Sequence, residues 1–528
     1  MHYLFCAGGC GTRVLEAIVH LCAPGLGPDE IKVLIIDPDA GGGNLQITNQ
    51  IINSYNACQA VYGGKLGEER FFRTKLTLLG GDGAGAAGAW PPVSANQQFQ
   101  QLLGYGLLSP QQKKVAHLLF TEEELDMGMS VGFLGHPSIG AAALSLLQLL
   151  EGNSPWNTIS TGFKADLAAG NVSVMIAGSV FGGTGASTFF PLAHWLHHAA
   201  EHDDPKLRIG VVALSPYFAF PTAPGAAAPG AGANPPAAAR RLTGPDARKF
   251  PLATRAAAQF YDHMRSVGDW PFNAMFWLGD DTPVVLPRCV GGSGQKNPPH
   301  FLELVAAQST LDFYDAKPMP SACYFASSIY ERPVDKDVNM VEWVDIPRLP
   351  PDKEAMHLQQ RQILKFLLCG LMHSEFYSGL FRDKALAIKP ETIPWYTKYF
   401  MRQRQNLTTP PLSEHLAALT DYAMRDVVWW QLLQKTTPDR VRLLNSTAFS
   451  VTPQKATLDN KRMKNLLYPD DPQKHAEGQT EFHNMTCRIG KPKGASDGAP
   501  TYLAVLAEAA DRFVDKHYSK KKDNDKNL

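Results

Sequence analysis

The sequence predicts an α/β protein built on a mostly parallel sheet that helices cover on both faces. Short apolar runs alternate with stretches of helical periodicity through the first half of the chain. The apolar runs are nearly continuous, which is typical of strands that are buried on both faces by crossover helices. Several of these runs end in a glycine-rich segment that leads into a helix, as expected at the carboxyl edge of such a sheet.

Most of the predicted strands lie in the first half of the chain. The apolar runs predict strands at residues 2–5, 32–36, 172–176, 208–214 and 273–278. Helical periodicity predicts helices at residues 13–22, 139–150 and 187–200. The run at 221–239 consists almost entirely of Ala, Pro and Gly, and we expect a flexible surface insertion there.

The second half of the chain is more helical in pattern. It contains predicted helices at 299–314, 353–381 and 502–517, with strands at 323–329 and 340–344. The stretch at 400–495 is weakly patterned, and the charged tail at 519–528 has the composition of a disordered segment.

Composition excludes several classes of protein. Fifty basic residues balance fifty acidic ones, so the chain has no overall charge that would attract nucleic acid or an anionic membrane. Eight cysteines among 528 residues, with no C-x-x-C pair, indicate reduced thiols rather than a disulfide framework. The start of the chain lacks the basic segment of a signal peptide, and glycines interrupt the uncharged stretch 167–200. We therefore expect a cytoplasmic protein.

Three loops of small residues predict a phosphate-binding site. Each lies where a strand or loop leads into a helix, and helix N-termini present backbone N–H groups to anions. Glycine lets the backbone approach a phosphate closely, and hydroxyl groups add further donors. The candidate residues are Gly8, Gly9, Cys10, Gly11 and Thr12 in the first loop, Gly135, His136 and Pro137 in the second, and Gly182, Gly183, Thr184, Gly185, Ala186 and Ser187 in the third.

The first loop by itself is compatible with other nucleotide sites. A dinucleotide fingerprint would need a third glycine where Val14 stands, although Asp37 after the second strand favours that hypothesis. The run AGGCGTR also resembles the opening signature of sugar-nucleotide transferases. No G-K-[ST] follows any glycine loop, so a Walker-type site is excluded. A nicotinamide- or sugar-nucleotide-dependent enzyme therefore stays an alternative.

Taken together, the loops resemble those of the tubulin and FtsZ superfamily of GTPases. GSVFGGTGAS is similar to the signature glycine loop of that family, and CAGGCGTR is similar to its first phosphate loop. IIDPDA matches the second loop at Asp39 and Ala40, while GHPSIGAAA resembles the third. LRIGVVALSPYFAF is similar to the fifth strand and the loop after it, which contains Pro216. The motifs span about residues 1–320 in family order, and the chain looks like a divergent bacterial tubulin-like protein.

The resemblance implies a domain organisation and a ligand. It implies a Rossmann-like GTPase domain at 1–298, a central helix at 299–316 and a smaller α/β second domain with a helical C-terminal region at 317–518. The implied ligands are GTP or GDP with Mg²⁺. On the central helix, Leu304 would pack on the guanine ring and Gln308 would contact its edge.

The chain also departs from the family pattern around the sugar and base. The ribose-binding Glu is absent, because Phe220 and Pro221 occupy that place and lead into the insertion. Arg255, Asp280 and Asp281 are weaker candidates for nucleotide contacts.

Hydrolysis in the family depends on an acidic loop that the next subunit inserts. The family pattern is not intact in this sequence, and the candidates that remain after the central helix are Glu342 and Asp345. The resemblance implies a head-to-tail homo-oligomer or filament, with further partner proteins recruited through 400–518. A scaffold that binds GTP or GDP without turnover, in a bacterial multi-protein system such as defence, is the alternative.

Histidines spaced four apart raise one metal hypothesis. His194, His198 and His202 fall on one face of the helix after the third loop, a spacing that can bind zinc. No H-E-x-x-H motif accompanies them, and a packed or solvated histidine face is the favoured interpretation. We therefore predict no dedicated protein metal site apart from Mg²⁺ bound with the nucleotide.

Overall fold

The computed structural model describes most of the chain. The described residues are 1–39, 41–80, 89–92, 97–129, 133, 135–145, 156–201, 204–220, 249–280, 282–287, 289, 292–316, 322–325, 341–343, 346, 353–374, 394–401, 409–437, 441–452, 456–467 and 476–518. The predicted insertion at 221–239 and the charged tail lie outside them.

An eight-stranded sheet forms the centre of the molecule, and every strand pairing in it is parallel. Its strands are β1 (His2–Ala7), β2 (Glu30–Ile36), β3 (Lys75–Leu78), β4 (Ala89–Trp90), β5 (Val172–Ser179), β6 (Leu207–Leu214), β8 (Ala274–Leu278) and β10 (Ala322–Phe325). The order across the sheet is β10-β8-β6-β5-β1-β2-β3, with β4 also paired to β2. The predicted α/β fold with a Rossmann-like parallel sheet is confirmed.

Two short sheets lie outside this one. Strand β7 (Phe218–Ala219) pairs in parallel with β9 (Val284–Val285), and β11 (Phe449–Val451) pairs antiparallel with β12 (Ala456–Leu458).

The helices that cover the sheet follow its strands along the chain. They are α1 (Gly8–Cys22), α2 (Gly43–Tyr62), α3 (Phe99–Leu102), α4 (Pro110–Leu119), α5 (Glu122–Leu125), α6 (Pro137–Leu144), α7 (Trp156–Ala169), α8 (Gly183–Ala199), α9 (Phe250–Ser266) and α10 (Phe301–Asp315). The later helices are α11 (Lys353–Met372), α12 (Leu412–Thr436), α13 (Gln479–Arg488) and α14 (Ala499–Tyr518). A short helical segment, Pro394–Tyr396, continues as a π-helix at Thr397–Met401.

Alternation along the strands divides the core into two layers. On β1, Tyr3 and Phe5 point to the layer that α7, α8 and α9 cover, while Leu4 and Cys6 point to the layer of α1, α2 and α10. Successive side chains of a strand face opposite sides, so an apolar residue at every position fills both layers. This is why the strands of this sequence are nearly continuous apolar runs.

A further layer of helices covers α1, α2 and α10. Helices α11, α12 and α14 share one apolar core with them, and rings of Phe72, Phe366 and Tyr422 meet within it. Buried polar contacts cross the same boundary. His20 Nδ1 on α1 lies 2.8 Å from Asp426 Oδ1 on α12, and the imidazole stacks on Trp429. The two parts of the chain are therefore joined by a continuous interior.

The second part differs from the sequence prediction in detail. The strand predicted at 340–344 is reduced, among the described residues, to one bridge between Val341 and Val441. Helix α12 occupies 25 residues of a stretch that the sequence left weakly patterned. It packs on α2, α11 and α14, and because several of its sides are buried the apolar stripe on which a prediction depends is blurred. None of the helices in the described ranges has the length and apolar character needed to cross a membrane.

Candidate functional site

A pocket lies at the carboxyl edge of the central sheet, where β1, β2, β5 and β6 end. Its empty space, including the open mouth, is about 1030 Å³. Parallel strands deliver their following loops to the same edge, so segments far apart in sequence meet around this pocket. The described lining residues are Ala7, Gly8, Gly9, Cys10, Arg13, Asp37, Asp39, Gly42, Asn44, Leu45, Phe133, Gly135, Ser179, Phe181, Gly182, Gly183, Thr184, Gly185, Tyr217, Phe218, Phe220, Phe250, Cys289, Gln295 and Asn297.

Four helices begin at this pocket without side-chain caps. The first turns of α1, α2, α6 and α8 contain no acidic residue, and the side chain of the N-cap residue caps none of these helices. Helices α4, α5 and α10, by contrast, begin with capping boxes at Ser109, Thr121 and His300. Uncapped N–H groups and the positive end of the helix dipole both favour an anion. The pocket therefore has the features of an anion site formed by backbone groups.

The glycines of the loops have two different roles. Gly8 has φ +67°, and a side chain there would meet Thr184 at 3.1 Å, so this glycine brings the loops after β1 and β5 together. A Cβ at Gly185 would lie 2.5 Å from the backbone of Ser179, which makes Gly185 a packing glycine. Gly9 is different, because the nearest protein atom to an added Cβ is Asn44 Nδ2 at 4.0 Å. The described residues leave the space beside Gly9 open.

Carboxylates follow β2 at one end of the pocket. Asp37 Oδ1 accepts a hydrogen bond from the Asp39 N–H at 3.0 Å, and Asp39 Oδ2 accepts one from the Gly292 N–H at 2.6 Å. Burial raises the pKa of Asp37 to about 7, because little around this carboxylate compensates its charge. A cation at this end would remove that penalty.

Aromatic rings lie at the other end of the pocket, where β6 ends. Phe181 lies with its ring centroid 5.5 Å from Phe218 and 4.7 Å from Phe250, and Phe220 lies 5.7 Å from Phe218. All four rings line the pocket. Across the sheet order β6-β5-β1-β2, the edge therefore presents aromatic rings, two glycine loops and carboxylates in turn.

A buried ion cluster lies between α1 and α10. Arg13 Nε and Nη2 donate to the two oxygens of Glu303 at 3.3 and 3.1 Å, and Nη1 donates to Glu16 at 2.9 Å. The Tyr217 hydroxyl also donates to Glu303, at 2.9 Å. Burial raises the pKa of Glu16, and Arg13 opposes that rise. The cluster joins the helix after the first glycine loop to the central helix and to the loop after β6.

The structure brings about half of the predicted site residues into the pocket. Those that line it are Gly8, Gly9, Cys10, Asp39, Gly135, Gly182, Gly183, Thr184 and Gly185. Those that do not line it are Gly11, Thr12, His136, Pro137, Ala186, Ser187 and Pro216, which lie next to lining residues in the chain or one helical turn away. Ala40 lies outside the described residues.

Neither Leu304 nor Gln308 lines the pocket, and their contact with a base stays a prediction. Both are buried on α10, where the Gln308 amide donates to Asp312 Oδ1 at 2.6 Å and accepts from Gln359 on α11. The resemblance implied a base contact for this polar residue, whereas the structure shows Gln308 in contact with α11. A buried amide whose hydrogen bonds are made within the protein loses them if it turns to a ligand.

The remaining candidates lie outside the pocket lining as well. Arg255 is exposed on α9, while Asp280 accepts from the Thr282 N–H and lies 3.7 Å from His300. Glu342 is half-buried and does not line the pocket of its own chain. Asp281 and Asp345 lie outside the described residues.

The histidine face on α8 does not assemble a metal site in the described residues. His194 lies 3.4 Å from Asp269, and His197 contacts the Pro271 carbonyl at 2.9 Å. His202 is outside the described residues, and no group of three or more metal-binding side chains occurs within them.

Sequence reasoning missed two features of the site. The motif of the first loop does not identify Arg13 as a site residue, although a charged residue in the apolar run of α1 is a signal in itself. The aromatic residues were visible in the run YFAF after β6, but nothing in the sequence indicates that Phe181 and Phe250 join them. That association depends on the packing of separate loops.

Comparison with known families agrees with the geometry. A family model described as "Tubulin like" matches residues 145–283, a span that contains β5, α8, β6, α9 and the glycine loop between β5 and α8. No curated protein matches the chain.

Proposed function

We propose, on the premise that this chain is a tubulin-like protein, that its sheet-edge pocket binds a guanine nucleotide and that the protein assembles head-to-tail. In this proposal the next subunit completes the nucleotide site and activates hydrolysis. The observation that carries the proposal is the convergence of four uncapped helix N-termini on one pocket.

Backbone groups would hold the phosphates. The leading N–H groups of α1 and α8 flank the close approach of Gly8 to Thr184, and the Thr184 hydroxyl lies on the same lining. Helix N-termini and consecutive N–H groups bind phosphate without a basic side chain. The open space beside Gly9 fits a ligand that approaches the backbone itself.

The carboxylates after β2 fit a divalent cation. Asp37 and Asp39 are the acidic side chains among the described lining residues, and Mg²⁺ prefers oxygen ligands of this kind together with phosphate. When bound, Mg²⁺ would neutralise charge on the phosphate oxygens. The chain itself keeps both carboxyl groups in place through backbone N–H groups of Asp39 and Gly292.

Hydrolysis would need an acid from outside this pocket. Both acidic lining residues belong to the candidate cation site, which leaves no further carboxylate among the described lining residues to act as a separate base. The proposal therefore assigns that role to a neighbouring subunit, with Glu342 and Asp345 as candidates. A shared site of this type makes activity depend on assembly.

The test is GTP turnover with Mg²⁺ over a range of protein concentrations, together with sedimentation. We expect specific activity to rise with concentration and GTP to promote pelleting. Gly9→Ala should weaken binding and abolish both effects, whereas Gly162→Ala, which adds a methyl group to open space on α7, should not.

Other results separate the alternatives. Tight GTP or GDP binding without turnover or pelleting would support a nucleotide-bound scaffold instead. Absence of guanine-nucleotide binding would overturn the proposal, and NAD and sugar nucleotides would then be tested at the same pocket.

A further inference from the structure

Arg13 is the one basic side chain among the described residues that line the pocket. It is only 2% exposed, yet its contacts hold it at the pocket wall rather than within the apolar core. An arginine buried at a ligand site requires an explanation, because burying a guanidinium is costly unless it is paired. The contacts of Arg13 with Glu303 and Glu16 define which of its N–H groups are left for a ligand.

Glu303 holds the guanidinium in a fixed plane. Its two oxygens accept from Arg13 Nε and Nη2, a two-point contact that sets both position and orientation. The same carboxylate accepts from the Tyr217 hydroxyl at 2.9 Å and from the His300 N–H at 3.0 Å. Glu303 therefore positions Arg13 and Tyr217 together.

Two donors of Arg13 are left over. A guanidinium has five N–H groups, and the contacts with Glu303 and Glu16 use one on Nε, one on Nη2 and one on Nη1. Within the described part of the chain, one N–H on each terminal nitrogen has no partner and is open to a ligand. Two such donors match a ligand edge that carries two neighbouring acceptors.

The charge balance disfavours phosphate as that partner. Two carboxylates already surround this single guanidinium, so little positive potential is left to attract a polyanion. Arg13 also lies five residues beyond Gly8 on α1, about 7 Å along the helix from its N-terminus. A neutral edge with two acceptors is the better match.

Flat rings lie next to this donor pair. Tyr217, which shares Glu303 with Arg13, has its ring centroid 5.1 Å from Phe218, and Phe218 contacts Phe181. Aromatic rings provide stacking surfaces for a nucleobase, and an arginine fork pairs with the O6 and N7 acceptors of guanine. The two features together describe a purine subsite.

We propose that Arg13 is a specificity-determining residue that donates to the O6 and N7 edge of guanine while the base stacks on the rings of Phe181, Phe218 and Phe250. Glu303 is the positioning residue that presents Arg13 to the base. This inference rests on the proposed function, and it replaces Leu304 and Gln308 as the source of base selectivity. Adenine is disfavoured because it carries an amino donor in place of O6.

Nucleotide analogues test this inference on the wild-type protein. We expect ITP, which keeps O6 and N7, to bind within about threefold of GTP. We expect ATP, 7-deaza-GTP and 2-aminopurine riboside triphosphate to bind about tenfold more weakly, since each lacks an acceptor that Arg13 would contact. Equal binding of GTP and 2-aminopurine riboside triphosphate, or loss of ITP binding, would overturn the inference.

Substitutions provide a second test of the role of Arg13. Arg13→Lys keeps the charge but loses the fork, so we expect the preference for GTP over ATP to fall about tenfold while the preference for triphosphate over monophosphate persists. Arg208→Lys is the control. Arg208 donates to the Ala316 carbonyl and to Ser173 at the opposite edge of the sheet, so its substitution should leave both preferences unchanged. If Arg13→Lys does not fold, the analogue series decides alone.

The outcomes distinguish the two proposals. Nucleotide binding with an unchanged GTP-to-ATP ratio in Arg13→Lys would overturn the role of Arg13 and leave the proposed function standing. Absence of any nucleotide binding by the wild-type protein would overturn both.

Discussion

At the scale of single residues, the glycines of the pocket are not equivalent. Gly185 and Gly9 both line the pocket, yet only Gly185 is tightly enclosed by backbone. Substituting a packing glycine perturbs the fold, so a loss of function there carries no information about ligand contact. Gly9 separates the two effects because an added methyl group points into open space.

The first prediction compares Gly9→Ala with Gly185→Ala. The Gly9 variant should keep the melting temperature of the wild type and lose nucleotide affinity, because its Cβ occupies ligand space. The Gly185 variant should lose about 1–3 kcal/mol of unfolding free energy, since its Cβ would overlap the backbone of Ser179. Thermal melts and nucleotide titration measure the two quantities, and a destabilised Gly9→Ala protein would contradict this assignment.

A second prediction concerns the protonation of Asp37. Its pKa is raised to about 7 in the folded protein against about 3.9 in an unfolded chain. Between these values the folded state keeps a proton that the unfolded state has lost, so the free energy of unfolding falls as pH rises from about 4 to about 7. Asp37 lowers the free energy of unfolding by at most about 1.4 kcal/mol for each pH unit in this window.

Denaturant unfolding at several pH values checks this sign. Asp37→Asn should make the stability of the ligand-free protein less dependent on pH in that window, and saturating Mg²⁺ should do the same for the wild type by stabilising the carboxylate. Mg²⁺ should also bind more weakly below pH 7. An unchanged pH profile in Asp37→Asn would show that other groups account for the slope.

At the scale of elements, α1 and α10 connect the pocket to the rest of the molecule. One end of α1 forms the first glycine loop, its middle holds Arg13 against Glu303 on α10, and its far end places His20 against Asp426 on α12. Each contact is buried and polar, so each restricts how these helices can shift relative to one another. In the sequence, Arg13, Glu16 and His20 only interrupt a largely apolar helix, and their partners are not evident.

The third prediction concerns the contact between α1 and α12. Asp426→Ala removes the partner of the buried His20 imidazole, and we expect unfolding free energy to fall by about 1–3 kcal/mol for the polar group left unpaired. Asp421→Ala, one turn earlier on α12, removes an exposed pair with Arg425 and should cost less than 1 kcal/mol. Equal effects of the two variants in denaturant unfolding would contradict a role for the buried pair.

At the scale of the whole molecule, the central helix layer is covered on both sides. The sheet packs on one side of α1, α2 and α10, and α11, α12 and α14 pack on the other within the same apolar core. Ion pairs of Lys365 with Glu69 and Asp511 add to the contact at the edge of this region. The second part of the chain therefore stabilises the part that contains the pocket.

The fourth prediction follows from this shared core. A chain that ends at residue 316 would expose the apolar faces that α11, α12 and α14 cover, so we expect it to aggregate or to unfold at a much lower temperature. The full chain should unfold in one cooperative transition, measured by calorimetry. A stable, monomeric 1–316 fragment would contradict the view that the two parts share one core.

The parallel α/β fold and the glycine loops at the edge of its sheet are predictable from the sequence. Both depend on local information, because continuous apolar runs define buried strands and small residues define the turns that follow them. Which of those residues line one pocket depends on tertiary packing. In the folded chain Gln308 contacts α11, and Arg13 and five phenylalanines lie at the pocket. Such placement depends on how elements pack, because a residue facing a neighbouring helix and one facing a ligand have the same spacing in a sequence.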